Sequence, residues 1–403
     1  MAMADQPAGK SFRLSMLLYD TRYRSMTIQI IMLALVVIGV LWLLNNMYAN
    51  LAAANKNPDF SFLSSPAGYD INQRLVEYTS QSSNARAWLV GVLNTLLVAF
   101  LGCVLATVLG VSIGVMRLSK NWIVSRLMTV YIETFRNVPV LLWIVFSMKI
   151  FIEKFPQPSA FKKGEASMYL GDSVAFTNRG WYIPKPVFND GSLVVVAVLI
   201  LSIIGIFIFN KWAHKRQEAT GDILPTFWIG LGIFFVPAII TFYIMGQPIS
   251  LDYPALKGFN FKGGLHLRNS LIALWLALSV YTAAFIAEAV RAGIMAINKG
   301  QSEAAAALGL RQKRVMSLVV LPQAMRVIIP TLISQYLNLT KNSSLAIAVG
   351  YMDVTATLGG ITLNQTGRAL ECILLLMITY LTISLSISMV MNVYNNSVKL
   401  KER

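Results

Sequence analysis

Ionisable side chains lie within strongly apolar segments of the chain, among them Glu133, Arg136, Glu288, Arg291, Lys341 and Glu371. A charge inside a bilayer costs about 2.5–3.5 kcal/mol on insertion scales, so each of these groups needs a partner or water. Tyr281, Glu288 and Arg291 are spaced so that they share one helical face, and Glu288 and Arg291 can pair at i,i+3. The pattern predicts buried charges that pair with each other or contact a polar molecule.

Other residues that could do chemistry form no recognisable site. Cys103 and Cys372 lie in apolar segments, and no group of His, Cys and carboxylate residues has metal-ligand spacing. Residues 4–11 are close to a phosphate-binding loop in sequence, but no strand precedes them and Ala4 replaces the first glycine. We therefore expect no catalytic activity, no metal site and no cofactor in this chain.

The composition indicates which elements must position these charges. Of 403 residues, 56% are apolar and 13% are charged, with a mean hydropathy of +0.61, whereas a soluble domain is about 45–50% apolar and about 25% charged. The formal net charge of +16 does not indicate nucleic-acid binding, because the basic residues lie between apolar segments where they orient membrane spans. The sequence predicts an all-α, polytopic membrane protein.

Eight segments are long and apolar enough to cross a bilayer. They are residues 28–48, 88–116, 129–152, 193–210, 226–246, 270–292, 327–349 and 370–393. With the N-terminus inside, the inner connections carry 19 of the 34 Lys and Arg residues and the longer outer connections carry 12. This bias predicts that both termini are cytoplasmic.

The first apolar run has two interpretations. Ala52-Ala53-Ala54 offers a small-residue cleavage site, but the 27 residues before the run are longer than the positively charged start of a usual signal peptide. We therefore favour a retained anchor. Residues 11–26 mix apolar and basic side chains and either lie on the inner membrane surface or form a solvated tail.

Residues 300–322 form the most informative connection between spans. Ser302 can cap a helix that begins at Glu303, Gly309 can end it, and a second short helix can run towards Leu321 and Pro322. On composition alone this segment is either a short capped linker or a surface into which a partner fits closely.

The spacing within this segment resembles a family signature. Glu303-Ala304-Ala305, Gly309 and then Val319, Leu321 and Pro322 resemble the E-A-A-x3-G-x9-I-x-L-P motif of membrane subunits of bacterial ABC importers, with Val319 in the Ile position. In that family the motif forms a cytoplasmic loop that contacts the ATPase subunits. The resemblance implies the same role for Glu303, Ala304, Ala305, Gly309, Leu321 and Pro322.

Further segments resemble the polar amino-acid branch of that family. Asn94-Thr95, F-R-N-V-P at 135–139, the helix from Tyr281 through Glu288 to Gly293, and K-N-S-S-L at 341–345 match its patterns. They cover about 88–152 and 270–393, which correspond to the five-helix core of the family. The extra first span and the insertion 153–265 resemble the long permease subunit of general L-amino-acid or glutamate/glutamine/aspartate/asparagine systems.

The resemblance implies an importer permease of the bacterial inner membrane that moves polar or acidic L-amino acids and their amides by alternating access. Its implied partners are cytoplasmic ABC ATPases, a second homologous permease subunit, a periplasmic binding protein, the substrate and the lipid bilayer. A zwitterion needs a cation and an acceptor, so the substrate-pathway candidates are Tyr281, Glu288, Arg291, Arg136, Lys341 and Asn342. Alternatively, Glu288 and Arg291 pair only with each other and Lys341 extends towards the membrane surface.

We predict the following organisation along the chain: a cytoplasmic segment 1–27, an extra span 28–48, a periplasmic loop 49–87, core residues 88–152, an insertion 153–265, core residues 266–393 with the coupling loop 293–326, and a cytoplasmic tail 394–403. An ion-coupled secondary amino-acid carrier is the principal alternative. Such a carrier would need internal repeats, of which the two halves of the sequence show none, and would leave the 303–322 spacing unexplained.

Overall fold

The computed structural model describes residues 21–53 and 58–398. The phosphate-loop-like residues 4–11, the start of the basic segment 11–26 and residues 399–403 lie outside the described part. Within it, seven helices are long and apolar enough to span a membrane. Seven of the eight predicted spans therefore correspond to continuous helical segments.

The helices run in chain order as follows: α1 (Thr21–Ala53), α2 (Asn84–Arg117), α3 (Trp122–Asn137), α4 (Val140–Lys154), α5 (Pro158–Lys162), α6 (Ser192–Thr220), α7 (Thr226–Ile244), α8 (Asn269–Met295), α9 (Lys299–Ala307), α10 (Gln312–Val315), α11 (Leu321–Asn342), α12 (Leu363–Thr366) and α13 (Ala369–Val398). A π-helical segment, Met316–Val320, joins α10 to α11, and a 3₁₀ segment, Ser343–Val349, continues α11.

The third predicted span, 129–152, is two helices rather than one. α3 ends at Asn137, Val138 has extended backbone (φ −106°, ψ 132°), and Pro139 precedes α4. Proline disfavours the helical region for the residue before it, so the chain changes direction at this point. α3 also begins at Trp122, seven residues before the predicted start of the span, with Asn121 as its cap.

α8 is the central helix of the core. It contacts α2, α3, α4 and α11, and most of its membrane-spanning window is buried. Gly110 and Gly114 of α2 allow the closest approach, because a Cβ at Gly110 would lie 2.6 Å from the Ile286 side chain and one at Gly114 would lie 2.7 Å from the Ala287 carbonyl oxygen. The small-residue pattern at 110–114 therefore serves helix packing.

α1, α6 and α7 are much less buried than α8. No residue of the spanning window of α1 is buried, and α6 and α7 pack mainly against each other. Their apolar side chains, such as Leu193 and Phe207, are exposed in the isolated chain. Without water in the bilayer core, such helices need no polar face, and lipid or another subunit can cover them.

The insertion also contains seven short strands that sequence patterns did not predict: β1 (Ala175–Thr177), β2 (Gly180–Ile183), β3 (Lys185–Phe188), β4 (Ile249–Asp252), β5 (Ala255–Lys257), β6 (Asn260–Lys262) and β7 (Leu265–Arg268). β2 pairs with β1 and β7, β3 with β4, and β5 with β6, all antiparallel. Strands before α6 thus pair with strands after α7, which places both connections on one side of the membrane. The proposed boundary between 265 and 266 falls inside β7.

Residues 58–83 and 350–368 lie at the same end of the bundle as the strands, which we call the sheet end. The Asn94 side chain donates to the Met352 carbonyl oxygen (2.8 Å), and the Val354 amide donates to Thr95 Oγ1 (3.1 Å). Between these contacts Asp353 is fully buried, and burial raises the pKa of its carboxyl to about 6. The opposite end carries α9 and α10, and we call it the coupling end.

Candidate functional site

The segment that follows α8 at the coupling end contains a capped helix, but the cap is not the predicted one. α9 begins at Lys299, and Asn298 Oδ1 accepts a hydrogen bond from the Gly300 amide (2.9 Å). Ser302 lies inside the helix, so the prediction that it caps a helix starting at Glu303 is wrong. Asn is as good a cap as Ser, and the local sequence offered both.

The predicted end of this helix at Gly309 agrees with the structure. Gly309 has φ +79°, a conformation that is costly for side chains with a Cβ. The Gly309 amide donates to the Ala306 carbonyl oxygen, and the Leu310 amide donates to that of Ala305. These bonds close the helix in the way that glycine-terminated helices usually end.

One face of α9 packs inward and the other is exposed. Ala305 is buried with Val315 and Val320, whereas Glu303 and Ala304 are exposed and Leu308 retains 84% of its surface. Leu321 and Pro322 are also exposed, at the point where the π-helical segment passes into α11. A force on this surface would therefore act directly on a helix that continues into the membrane core.

The intramembrane charges near this end form a paired cluster. Arg291 Nη2 lies 2.5 Å from Glu288 Oε1, which confirms the predicted i,i+3 pair. Arg117, the last residue of α2, also pairs with the Glu288 carboxylate. All three side chains are mostly buried. Glu288 thus connects α2 to α8 through charge-assisted hydrogen bonds.

Sequence reasoning missed Arg117 as a partner because it was counted with the connection that follows the second span. The available signal was topological. Arg117 ends the second span and Arg291 lies near the end of the sixth, and both spans are predicted to finish on the same side. Arg117 and Arg291 therefore lie at a similar depth near the same membrane surface, and the nearby carboxylate of Glu288 predicts an ion pair shared with both.

The other candidate residues fall into two places. The Arg136 guanidinium lies over the Phe285 ring at 5.3 Å from its centroid, and that ring contacts Tyr281 at 5.0 Å between centroids. Tyr281 and Phe285 lie on α8 with Glu288, and Arg136 lies on the neighbouring helix α3. Lys341 and Asn342 end α11 towards the sheet end, where Lys341 is exposed. The structure therefore places Tyr281 and Arg136 around the Phe285 ring, whereas Glu288 and Arg291 pair about two helical turns beyond Tyr281, and Lys341 and Asn342 lie elsewhere.

The remaining intramembrane carboxylates have polar partners. Glu371 Oε1 accepts from the Asp59 backbone amide (3.0 Å) and contacts Arg368 (3.4 Å). Glu133 accepts from Asn137, one helical turn further on (3.3 Å). Among residues 21–53 and 58–398, no group of three or more His, Cys, Asp or Glu side chains is placed to hold a metal ion.

Similarity to known proteins decides the family. Residues 220–400 match the family model "Binding-protein-dependent transport system inner membrane component". The chain is also 54% identical over 428 aligned positions to the glutamate/glutamine/aspartate/asparagine transport system permease protein BztB of Rhodobacter capsulatus, covering all of both chains. The chain belongs to this permease family.

Two further similarities accompany this result. The permease is 46% identical over 395 positions to the general L-amino acid transport system permease protein AapQ of Rhizobium johnstonii, covering 98% of this chain and 96% of the relative. A chain of a solved amino acid ABC transporter with histidines shares 18% identity at a TM-score of 0.44, covering 78% of this chain and 94% of the other. The permease is a multi-pass inner-membrane component of a binding-protein-dependent importer and is not itself catalytic.

Proposed function

We propose that this permease translocates polar or acidic L-amino acids and their amides in an ATP-driven importer. Full-length similarity to BztB carries the proposal, because it includes the insertion and the extra first helix as well as the core. The carboxylate of Glu288 and the guanidinium of Arg136, on the contacting helices α8 and α3, offer the two charges that a zwitterion would contact. An ion-coupled carrier is disfavoured because it would leave the exposed surface of α9 without a partner.

The ATPase subunits of this importer dock on residues 303–322 at the coupling end. An exposed leucine beside small alanines gives a surface that a groove can enclose, and Glu303 contributes a charge near the start of the helix. Because α10, the π-helical segment and α11 form one uninterrupted helical segment, movement of the ATPases would tilt α11 within the core. Such a movement would produce alternating access.

The Arg117–Glu288–Arg291 cluster closes the pathway at the coupling end while the helices are packed as described. For Glu288 to accept a substrate ammonium group, it would have to exchange one of these arginines for it. Tyr281 and Arg136 would then contact the substrate beside it. Lys341 and Asn342 would act nearer the sheet end, where a carboxylate would first enter the pathway.

The surfaces left exposed in the isolated chain support the proposed partner subunits. A second homologous permease would complete the pathway, and a periplasmic binding protein would deliver substrate at the sheet end. In this orientation the coupling end and both termini are cytoplasmic, in agreement with the distribution of Lys and Arg.

Affinity purification of the tagged chain from its native membrane tests this assignment. In mild detergent, mass spectrometry should recover an ABC ATPase and a homologous permease in stoichiometric amounts. Glu303→Lys should lose the ATPase while keeping the second permease, which separates docking from assembly. Repeated recovery of the chain alone, with cross-linking, would contradict the proposal and favour an ion-coupled carrier.

A further inference from the structure

A pocket of about 460 Å³, with more polar than apolar residues in its lining, lies at the sheet end, outside the cluster around Glu288. The core contributes the end of α4, the start of α8 and the residues that follow α11, and the insertion contributes the turn between β1 and β2 together with residues of β6 and β7. A volume of this size suits a small metabolite. The pocket exists only because the insertion folds back onto the core.

The first turn of α8 supplies groups that favour an anion in this pocket. α8 has 27 residues, begins without a side-chain cap and has no acidic residue in its first turn. Arg268, Asn269 and Ser270 at this end line the pocket. The free amides and partial positive charge of a long helix attract an anionic group to its N-terminus.

Two arginines reinforce this preference for an anion. Arg179 and Arg268 both line the pocket, and the described residues of its lining include no Asp or Glu. Within the described ranges 21–53 and 58–398, no carboxylate lies within ion-pair distance of either guanidinium. The neighbouring His266 adds no charge at neutral pH, because burial lowers its pKa.

The side chains of Asn269 and Asn178 supply hydrogen-bond acceptors to the same pocket. Asn269 is only 3% exposed, and its Nδ2 donates to the Asn178 carbonyl oxygen (2.7 Å). Its Oδ1 has no hydrogen-bond partner among the residues that the structure describes, and the same holds for Asn178 Oδ1 and Arg268 Nε. A buried polar atom without a hydrogen bond costs about 1–3 kcal/mol. A ligand that donates from N–H groups would satisfy both of these acceptors.

We propose that this pocket binds a free L-amino acid before it enters the intramembrane pathway. The α-carboxylate would lie at the N-terminus of α8 beside Arg268, and the ammonium group or a side-chain amide would donate to Asn269 Oδ1 and Asn178 Oδ1. Arg179 at the rim would pair with the side-chain carboxylate of an acidic substrate. A simple anion would leave both amide oxygens unpaired, and a simple amine would leave both arginines unpaired.

This inference rests on the proposed function, but it adds a site that the transport assignment does not require. It also gives the insertion a role, since Asn178, Arg179 and Asn260 all belong to it. A core without residues 153–265 would retain the start of α8 and lose one unpaired amide oxygen and one arginine.

Equilibrium binding of radiolabelled L-glutamine tests the site directly. The transporter, purified with its co-purifying subunits in lipid nanodiscs, is measured without nucleotide and without binding protein. Asn269→Leu, Arg268→Gln and Arg179→Gln are compared with Asn189→Leu and Arg86→Gln, which change the same residue types at the sheet end outside the pocket. Unchanged elution volume, subunit stoichiometry and unfolding temperature establish that each variant is folded and assembled.

We expect saturable binding that is at least tenfold weaker in Asn269→Leu and Arg268→Gln and unchanged in the two control variants. Arg179→Gln should weaken competition by L-glutamate more than binding of L-glutamine. Glutarate, which lacks the ammonium group, should compete poorly, and equal competition by glutarate or phosphate would overturn the proposal in favour of a general anion site.

Equal L-glutamine binding in all variants would place the ligand elsewhere and overturn the pocket while leaving the transport function intact. If a wild-type transporter performs ATP-driven uptake but shows no saturable binding, the pocket assignment is likewise overturned and the transport function is left intact. A wild-type transporter that performs no ATP-driven amino-acid uptake would instead contradict the proposed function.

Discussion

The two ends of α8 differ in how their polar groups are satisfied. At the coupling end, Glu288 is paired with Arg291 on its own helix and with Arg117 of α2. At the sheet end, Asn269 Oδ1 and Arg268 Nε are buried without a hydrogen-bond partner in the described part of the chain. A paired cluster stabilises the packing of two helices, whereas unpaired buried groups favour binding of a ligand that satisfies them. One helix thus carries a closed end and an end open to a ligand.

The largest expected effect lies in the segment that extends from the closed end. Gly309→Asp should reduce uptake to background, because a residue with a Cβ at φ +79° is strained by about 1–2 kcal/mol and because it adds a carboxylate to the proposed ATPase-docking surface. Gly258→Asp is the matched control, since Gly258 has φ +69° and equally open surroundings in the β5–β6 turn. Membrane insertion of both variants is checked by fractionation. Full uptake by Gly309→Asp would contradict the coupling assignment.

Breaking the ion pairs should have a smaller effect. Glu288→Gln should lower the uptake rate about tenfold, because hydrogen bonds to charged groups contribute about 1.5–3 kcal/mol each and two arginines lose their carboxylate. Uptake in proteoliposomes measures the change in rate, and thermal unfolding of the purified complex measures the loss of stability. An unchanged rate and substrate profile would show that Glu288 neither closes the pathway at the coupling end nor contacts the substrate.

A double-mutant cycle sharpens this test. If Arg117 acts through Glu288, then Arg117→Gln combined with Glu288→Gln should destabilise the complex no more than Glu288→Gln alone. Additive losses in the unfolding temperature would show that the two residues act independently, and the link between α2 and α8 would then be structural packing at the glycines alone.

The smallest expected effect concerns the cap of α9. Asn298→Ala should destabilise this helix by about 0.5–2 kcal/mol and reduce the stimulation of ATPase activity by binding protein, while Ser302→Ala should leave both unchanged. ATPase assays on the assembled transporter measure this difference. A larger loss in Ser302→Ala would contradict the cap that the structure assigns.

The sequence predicts most of the helical fold, the approximate ends of α8 and the C-terminal end of α9. Apolar runs of sufficient length identify seven spans, and Gly309 marks a helix end because few other residues adopt its conformation. The break at Pro139 was not predicted, although the proline was visible, because the segment is apolar on both sides of it. Local patterns favour a span there, and the backbone geometry before proline decides otherwise.

Other features depend on contacts between residues distant in sequence. β2 pairs with β7 across more than eighty residues, and strands of three or four residues carry too little alternation to be recognised. The partnership of Arg117 with Glu288 and the unpaired atoms of Asn178 and Asn269 likewise arise only after the helices and the insertion pack together. Residue types alone do not reveal which buried groups lack partners.

ATP-driven uptake by the complete reconstituted importer tests the central claim most directly. Proteoliposomes containing this permease and its co-purified subunits receive binding protein outside, MgATP inside and labelled L-glutamine or L-glutamate. We predict accumulation that requires both ATP and binding protein and is lost in Gly309→Asp. Accumulation driven by an ion gradient in the absence of ATP would contradict the account.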